Sequence, residues 1–298
     1  MSLRSATFTP ETSRELLHVA CRAVGLDPHD AHLLRHHTNA VYRLARQPVV
    51  VKITRPGSGR YRAGQTVAIA DALARTNVPT VRLWSDVEQP MAVADSHATF
   101  WIAVDIVREP MASDLAEPLR RLHELGLSDL PEVPKLDPFA AIADSLSRRT
   151  VLGDDDLHFL RVYAGQLADD YAVLDFERPD CLIHADAHHS NTLVGADGPV
   201  LADWESARIG PPEWDLATVA VHCRRFGHPA EEYRDFAATY RREVLDWPGY
   251  QTLAAVRELR MITTNAWKSN PGTLAAAEVL SRVSALRHGD LEHRWALL

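Results

Sequence analysis

The sequence predicts an α+β protein with its strands gathered toward the amino terminus and its helices after them. Two patterns predict this. β-Branched and aromatic runs broken by polar turns occupy residues 32–107, as in antiparallel strands. Beyond Val107 the apolar residues take up helical spacing: Leu157, Leu160, Ala164, Leu167, Tyr171 and Leu174 lie three or four apart and share one helix face. A chain of 298 residues, 46% of them hydrophobic, is long enough for two lobes, each with its own core.

Thr9-Pro10-Glu11 reads as a helix start, with a hydroxyl cap, proline in the first turn and an early acid. That helix is expected to run to Gly25. "HLLRHHTNAVYRLARQPVVVKIT" follows, with a turn at Arg46-Gln47-Pro48 between strands. "RPGSGRYRAG", carrying Arg60 and Arg62, reads as a solvated loop. "TVAIADALARTNV" reads as a helix stopped by Pro79, and residues 81–107 as further strands. Downstream of the long helix over 157–174, "CLIHAD" leads into a hairpin turning at Gly195-Ala196-Asp197-Gly198. We therefore expect an amino-terminal lobe over 1–103 and a helical lobe over 104–298, joined by a strand-like hinge at Ile102–Val104.

Composition narrows the function. Lys and Arg total 32 against 40 Asp and Glu, a formal charge of −8. An acidic chain without a basic cluster argues against nucleic acid as a partner and favours a cationic small molecule. Three scattered cysteines, Cys21, Cys181 and Cys223, form neither a disulfide framework nor a CxxC metal site, which suggests a reducing, cytoplasmic setting. No stretch approaches the roughly 20 apolar residues that would cross a bilayer, so no membrane association is expected.

The chemistry concentrates in "CLIHADAHHSNTLVGADGPVLADWE", residues 181–205. Asp186 and Asn191 are five apart, and Asp203 follows across the hairpin. Two carboxylates and an amide oxygen form a hard donor set suited to Mg²⁺, with one carboxylate able to orient or deprotonate a hydroxyl. The same stretch holds His184, His188 and His189. Adjacent histidines seldom converge on one metal, and no HExxH accompanies them, so a zinc hydrolase is a rival reading with little support.

The order His184-Ala185-Asp186, Asn191, Asp203-Trp204-Glu205 resembles the catalytic loop and metal-binding aspartate of the aminoglycoside phosphotransferase family, a branch of the protein-kinase-like fold. The resemblance covers nearly the whole chain. It implies a two-lobe kinase-like fold and Mg²⁺-dependent transfer of a phosphoryl group from ATP or GTP to a hydroxylated small molecule, such as a cationic antibiotic, choline, a sugar or an amino alcohol. It makes Asp186 the residue that accepts the hydroxyl proton and Asn191 and Asp203 the metal ligands. His184 would brace the loop and Asp215 would support it from within. Lys52, in "VVVKI", would contact the nucleotide phosphates, with Thr38 and Asn39 in the loop before it and the backbone of Ile102, Ala103 and Val104 against the purine. His188 stands where protein kinases carry a phosphate-contacting lysine. "RELRMITTNAWKSN", with Glu258, and the acids Asp154–Asp156 are candidates for holding a cationic acceptor.

The sequence departs from the family pattern at three points. Ala185 replaces a glycine, a mild change provided the backbone there needs no positive φ. The loop His36-His37-Thr38-Asn39 has no glycine. No glutamate lies between Lys52 and Glu88, so the usual carboxylate partner of the lysine is missing from the helix that should carry it. Asp71, a neutral residue such as Gln65 or Thr66, or Asp203 remain as substitutes. These gaps leave a nucleotide-binding pseudokinase as a second rival.

Overall fold

A computed structural model describes residues 8–57 and 60–298. The chain forms two compact units, each assembled from separate stretches. The first takes in the amino-terminal residues through Pro110 together with 126–133 and 190–207. The second takes in 111–125, 134–189 and 208–298.

In the first unit, α1 (Pro10–Ala23) begins as its sequence predicts. Thr9 caps it, its hydroxyl accepting the Thr12 amide while Thr12 Oγ1 accepts the Thr9 amide. The helix ends two residues short of Gly25, which takes the left-handed conformation (φ 72°). Five strands follow: β1 (His32–His36), β2 (Asn39–Arg43), β3 (Val49–Thr54), β4 (Met91–Val93) and β5 (Ser96–Ile102). They make one antiparallel sheet in the order β1-β2-β3-β5-β4. Alternation along β3 buries Val49, Val51 and Ile53 with Leu17, Tyr42 and Phe100, so Lys52 emerges on the other face.

Helix α2 (Arg60–Ala74) starts six residues before the expected Thr66, so Arg60 and Arg62 are helical and not in a loop. Gly64 sits inside it. A glycine within a helix costs about 1 kcal/mol relative to alanine but does not end the helix. Ser58 and Gly59, which the loop reading also covered, lie outside the described residues. A two-stranded hairpin, β7 (Thr192–Gly195) with β8 (Gly198–Leu201), also belongs to this unit. Its turn is the predicted one, with Gly198 at φ 108° closing the two-residue loop.

The second unit is helical apart from one short ribbon, β6 (Cys181–Ile183) paired with β9 (Arg208–Gly210). Its helices are α3 (Ala112–His123), α4 (Pro138–Ser147), α5 (Asp154–Ala172), α6 (Glu213–Arg225), α7 (Ala230–Tyr240), α8 (Tyr250–Lys268) and α9 (Leu274–Arg287). All of α6 except Arg224 is buried, which makes it the unit's central helix. α3 packs on α7, and α8 packs on α4, α5, α6 and α9. No helix among the described residues is long and apolar enough to cross a membrane.

Candidate active site

The residues singled out in the sequence fall into two groups, one in each unit. In the first unit, the register Thr192↔Leu201 places Asn191 just before β7 and Asp203 just after β8, at the open end of one hairpin. The Asn191 carbonyl accepts the Ala202 amide at 2.9 Å, which ties the two strand ends together. Asp203 takes a left-handed conformation (φ 66°). This conformation is several-fold enriched in aspartate relative to most other side chains.

Lys52 reaches this point from β3. Its Nζ donates to Asp203 Oδ1 at 2.8 Å and lies 2.7 Å from Glu205 Oε1. Burial of the lysine disfavours its charge, but the two carboxylates more than offset that, so its pKa is raised and it stays an ammonium. Asp71 does not serve as the missing partner. It pairs instead with Arg75, four residues on at the end of α2, at 2.6 Å. Glu205 supplies the second carboxylate from two residues beyond Asp203. Sequence reasoning missed this role, although the "DWE" triplet sits beside the metal-binding candidate. Asn39 Nδ2 donates to the same Glu205 oxygen at 2.9 Å, so this side chain is committed to the carboxylate cluster, while Thr38 stands in the β1–β2 turn. At the end of β5, the amides of Ile102 and Ala103 donate to Arg82 and Pro48, both at 2.8 Å, ahead of Val104.

In the second unit, Asp215 is fully buried in the first turn of α6 and organises the loop after β6. Its Oδ2 accepts the amide of His184 at 2.7 Å and its Oδ1 the amide of Ala185 at 2.8 Å. His123 Nε2 lies 3.0 Å from Oδ2, and His123 Nδ1 lies 2.8 Å from the Tyr240 hydroxyl. Ala185 has φ 62°. The substitution for glycine is therefore not mild, because a Cβ in this region costs about 1 kcal/mol or more. The Asp215 clamp and the Trp214 indole, which donates to the Ala185 carbonyl at 3.2 Å, hold the strained residue in place.

Asp186 follows at once, with a third of its side chain exposed. Arg257 on α8 donates from Nη2 to its Oδ1 at 2.5 Å, and His188 Nε2 lies 3.5 Å from its Oδ2. Burial pushes the Asp186 carboxyl up, but His188 and Arg257 pull it further down, well below the usual carboxylate range. Nothing in the sequence marked Arg257 as a partner of Asp186, 71 residues away. His188 stacks on His222 with ring centres 4.6 Å apart, not on His189. His189 instead joins His228 and Glu232, which together put three possible metal-ligating atoms within 4.8 Å of one another. Glu232 already binds His189 at 2.7 Å, His228 at 3.1 Å and the Ala112 amide at 2.9 Å, so the trio works as a hydrogen-bonded clamp on the start of α3.

Two of the acids expected to attract a cationic acceptor are engaged elsewhere, while Asp154 and Asp155 are exposed at the start of α5. Glu258 is buried against Arg224 and Arg225, at 2.5 and 2.6 Å, and Asp156 pairs with Arg287 at 2.7 Å.

Burial first, then the charges of His188 and Arg257, hold His222 well below the ordinary histidine value, so the folded protein keeps it neutral. The unfolded chain takes up that proton near pH 6.5, so folding stability is present above this pH and is lost as the pH falls below it. Between pH 7.5 and 5.5 the term reaches about 1.4 kcal/mol, or about 2 °C in thermal midpoint for a protein of this size. His222→Gln is expected to narrow the gap in midpoint between these two pH values by that amount, whatever it does to the midpoint itself. An unchanged gap would refute the assignment.

The model of the phosphotransferase enzyme family matches residues 32–259. Among curated proteins, none matches this sequence. Solved structures do. The amicoumacin kinase hAmiN, in complex with AMP-PNP, Ca²⁺ and amicoumacin, superimposes with a TM-score of 0.73 at 11% identity, over 97% of this chain and 98% of its own. A microcompartment-associated aminopropanol kinase gives 0.70 at 18% identity, over 92% and 99%. The aminoglycoside phosphotransferase APH(3'')-Id from Streptomyces rimosus gives 0.61 at 20% identity, over 83% and 98%. With the family model spanning all the residues that build both groups, this chain belongs to the phosphotransferase enzyme family, the aminoglycoside phosphotransferases and their kin, and has the protein-kinase-like fold.

Proposed function

We propose that the protein is a cytoplasmic enzyme that moves the γ-phosphoryl group of ATP or GTP, with Mg²⁺, to a hydroxyl of a small molecule. The observation that carries this reading is Lys52, held as an ammonium between Asp203 and Glu205 beside the Asn191 end of the hairpin. Phosphoryl transfer needs positioning and charge neutralisation more than covalent chemistry, and such a cluster offers both. Asn191 and Asp203 offer oxygen donors at this hairpin end, which fits magnesium. Asn191 and Asp203 would hold the ion, which would supply neutralisation of charge on the phosphates. Lys52 would then turn from the carboxylates to the α- and β-phosphates. Thr38 and Asn39 would flank the phosphates, and the Val104 amide with the carbonyls of Ile102 and Ala103 would meet the purine.

Asp186 would accept the acceptor's proton as its oxygen attacks phosphorus. Asp215 and His184 hold the loop that presents it, and a cationic His188 would face the transferred phosphoryl group. Similar structures are named for aminoglycosides, amicoumacin and aminopropanol, and the −8 charge also suggested a cationic antibiotic or amino alcohol.

Thermal midpoints with Mg-ATP and with Mg-GTP, followed by nucleotide turnover against hydroxylated acceptors, test the reading. A rise in midpoint with at least one nucleotide and acceptor-dependent turnover are expected. Stabilisation without turnover, and slow nucleotide hydrolysis indifferent to Asp186→Asn, would leave a nucleotide-binding pseudokinase. A response to zinc alone would leave the hydrolase.

A further inference from the structure

We infer that the acceptor carries an oxyanion, a carboxylate or a phosphate, which Arg257 and Arg260 of α8 bind beside Asp186. The inference rests on reading Asp186 as the group that meets the acceptor hydroxyl, and it replaces the cationic acceptor that the net charge favours with a hydroxylated anion.

Three observations in the second unit lead there. First, residues 257 and 260 are three apart on α8 and share a helix face, whereas Glu258 points to Arg224 and Arg225. Arg257 spends Nη2 on Asp186 while its buried Nε has no partner. Arg260 lies with its guanidinium carbon 5.6 Å from the centre of the Trp214 ring, and its buried Nη1 also has no partner. Buried guanidinium N–H groups are costly to leave unmade, and a carboxylate or phosphate is the partner that suits them.

Second, the charges acting on Arg260 are weighted toward the positive. Arg257 and Arg208 stand against Asp186, which Arg257 already pairs at 2.5 Å. Burial, then the charge of Arg257, pushes the Arg260 guanidinium down to about 10, and an arriving anion would relieve that.

Third, the nearby acids are already engaged. Glu258 has two arginines, Glu213 has Arg242 at 2.8 Å, and Asp215 has His123 and two backbone amides. A polycation placed at Asp186 would find no free carboxylate on these elements and several positive charges. In the reaction itself, the acceptor oxygen bonds to the γ-phosphorus, the β–γ bridging P–O bond breaks to release the nucleoside diphosphate, and the hydroxyl proton passes to Asp186 and then to solvent. The oxyanion stays bound to the arginines throughout.

A series on one carbon skeleton tests this: glycerate, glycerol 3-phosphate, glycerol and 3-amino-1,2-propanediol, with choline and streptomycin added. Binding is measured by calorimetry with Mg-AMP-PNP present, and turnover by nucleoside diphosphate release. The wild type is expected to bind at least one of the two anions tenfold or more tighter than glycerol, and the three cations no better than glycerol. Arg260→Gln is expected to raise KM for the preferred anion tenfold or more with kcat within threefold, and Arg260→Lys to recover part of the loss. Tighter binding of a cation, anions bound no better than glycerol, or an equal loss for all acceptors would overturn the inference, the first two without any variant. Anion binding that depends on Arg260 but gives no turnover would leave the anion site standing and refute the phosphotransferase reading. Turnover of choline or streptomycin unaffected by Arg260→Gln would do the reverse.

Discussion

Asp186→Asn is expected to lower kcat by about 10²–10⁴-fold, the usual span for a positioned proton acceptor. Asparagine keeps the shape of the side chain and an oxygen for Arg257, but it cannot accept the acceptor's proton. The nucleotide-binding candidate Lys52 and the metal-ligand candidates Asn191 and Asp203 belong to the other unit, so the thermal shift with Mg-nucleotide should be retained. The loss should therefore fall on kcat and leave nucleotide KM within a few-fold. The wild-type pH profile adds a second readout. His188 and Arg257 overcome the effect of burial and hold the Asp186 carboxyl well below the usual carboxylate range, so kcat should show no acid limb from this group between pH 5 and 8. Activity within tenfold of wild type in Asp186→Asn would remove Asp186 from the chemistry.

What the sequence disclosed and what it hid follow from the range of the interactions involved. Asp186, Asn191 and Asp203 are readable because a loop and a tight hairpin constrain them within 18 residues. Lys52 is readable because period-two alternation in β3 makes a lysine among valines conspicuous. The lysine's partner was sought on α2, where the family pattern puts it. Asp71 is there but is satisfied by Arg75 one helical turn away, while Glu205 reaches Lys52 through tertiary packing that no local period encodes. Arg257 and Arg260 lie on an amphipathic helix whose pattern says which face is buried but not which loop that face meets. Ala185 misled for a different reason. Alanine gives no sign of positive φ, and the clamp that enforces it comes from Asp215, 30 residues on. Glycines misplaced the start of α2, since Gly64 reads as a breaker but is tolerated inside the helix.

The placement of Glu205 leads to the other large effect, a comparison of Lys52→Ala, Glu205→Gln and Asp71→Asn. Lys52→Ala removes the cation between two partly buried carboxylates and is expected to lower kcat/KM for nucleotide by a hundredfold or more, about 2.7 kcal/mol. Glu205→Gln keeps an oxygen for Asn39 and Lys52 but removes the charge. It should raise nucleotide KM about tenfold, because the ammonium is then held by Asp203 alone, in competition with the metal that Asp203 is proposed to bind. In the double variant the two losses should not add. A coupling of about 1–3 kcal/mol is expected for groups in direct contact. Asp71→Asn disturbs only an exposed pair with Arg75, worth about 0–1 kcal/mol, and should leave nucleotide KM unchanged. Raising Mg²⁺ separates two ways in which Glu205 can act. A role exerted through Lys52 predicts that excess metal does not rescue Glu205→Gln, whereas direct ligation of the ion predicts that it does. Additive losses, or a loss in Asp71→Asn equal to that in Glu205→Gln, would mean that Glu205 does not take the place of the missing helix glutamate.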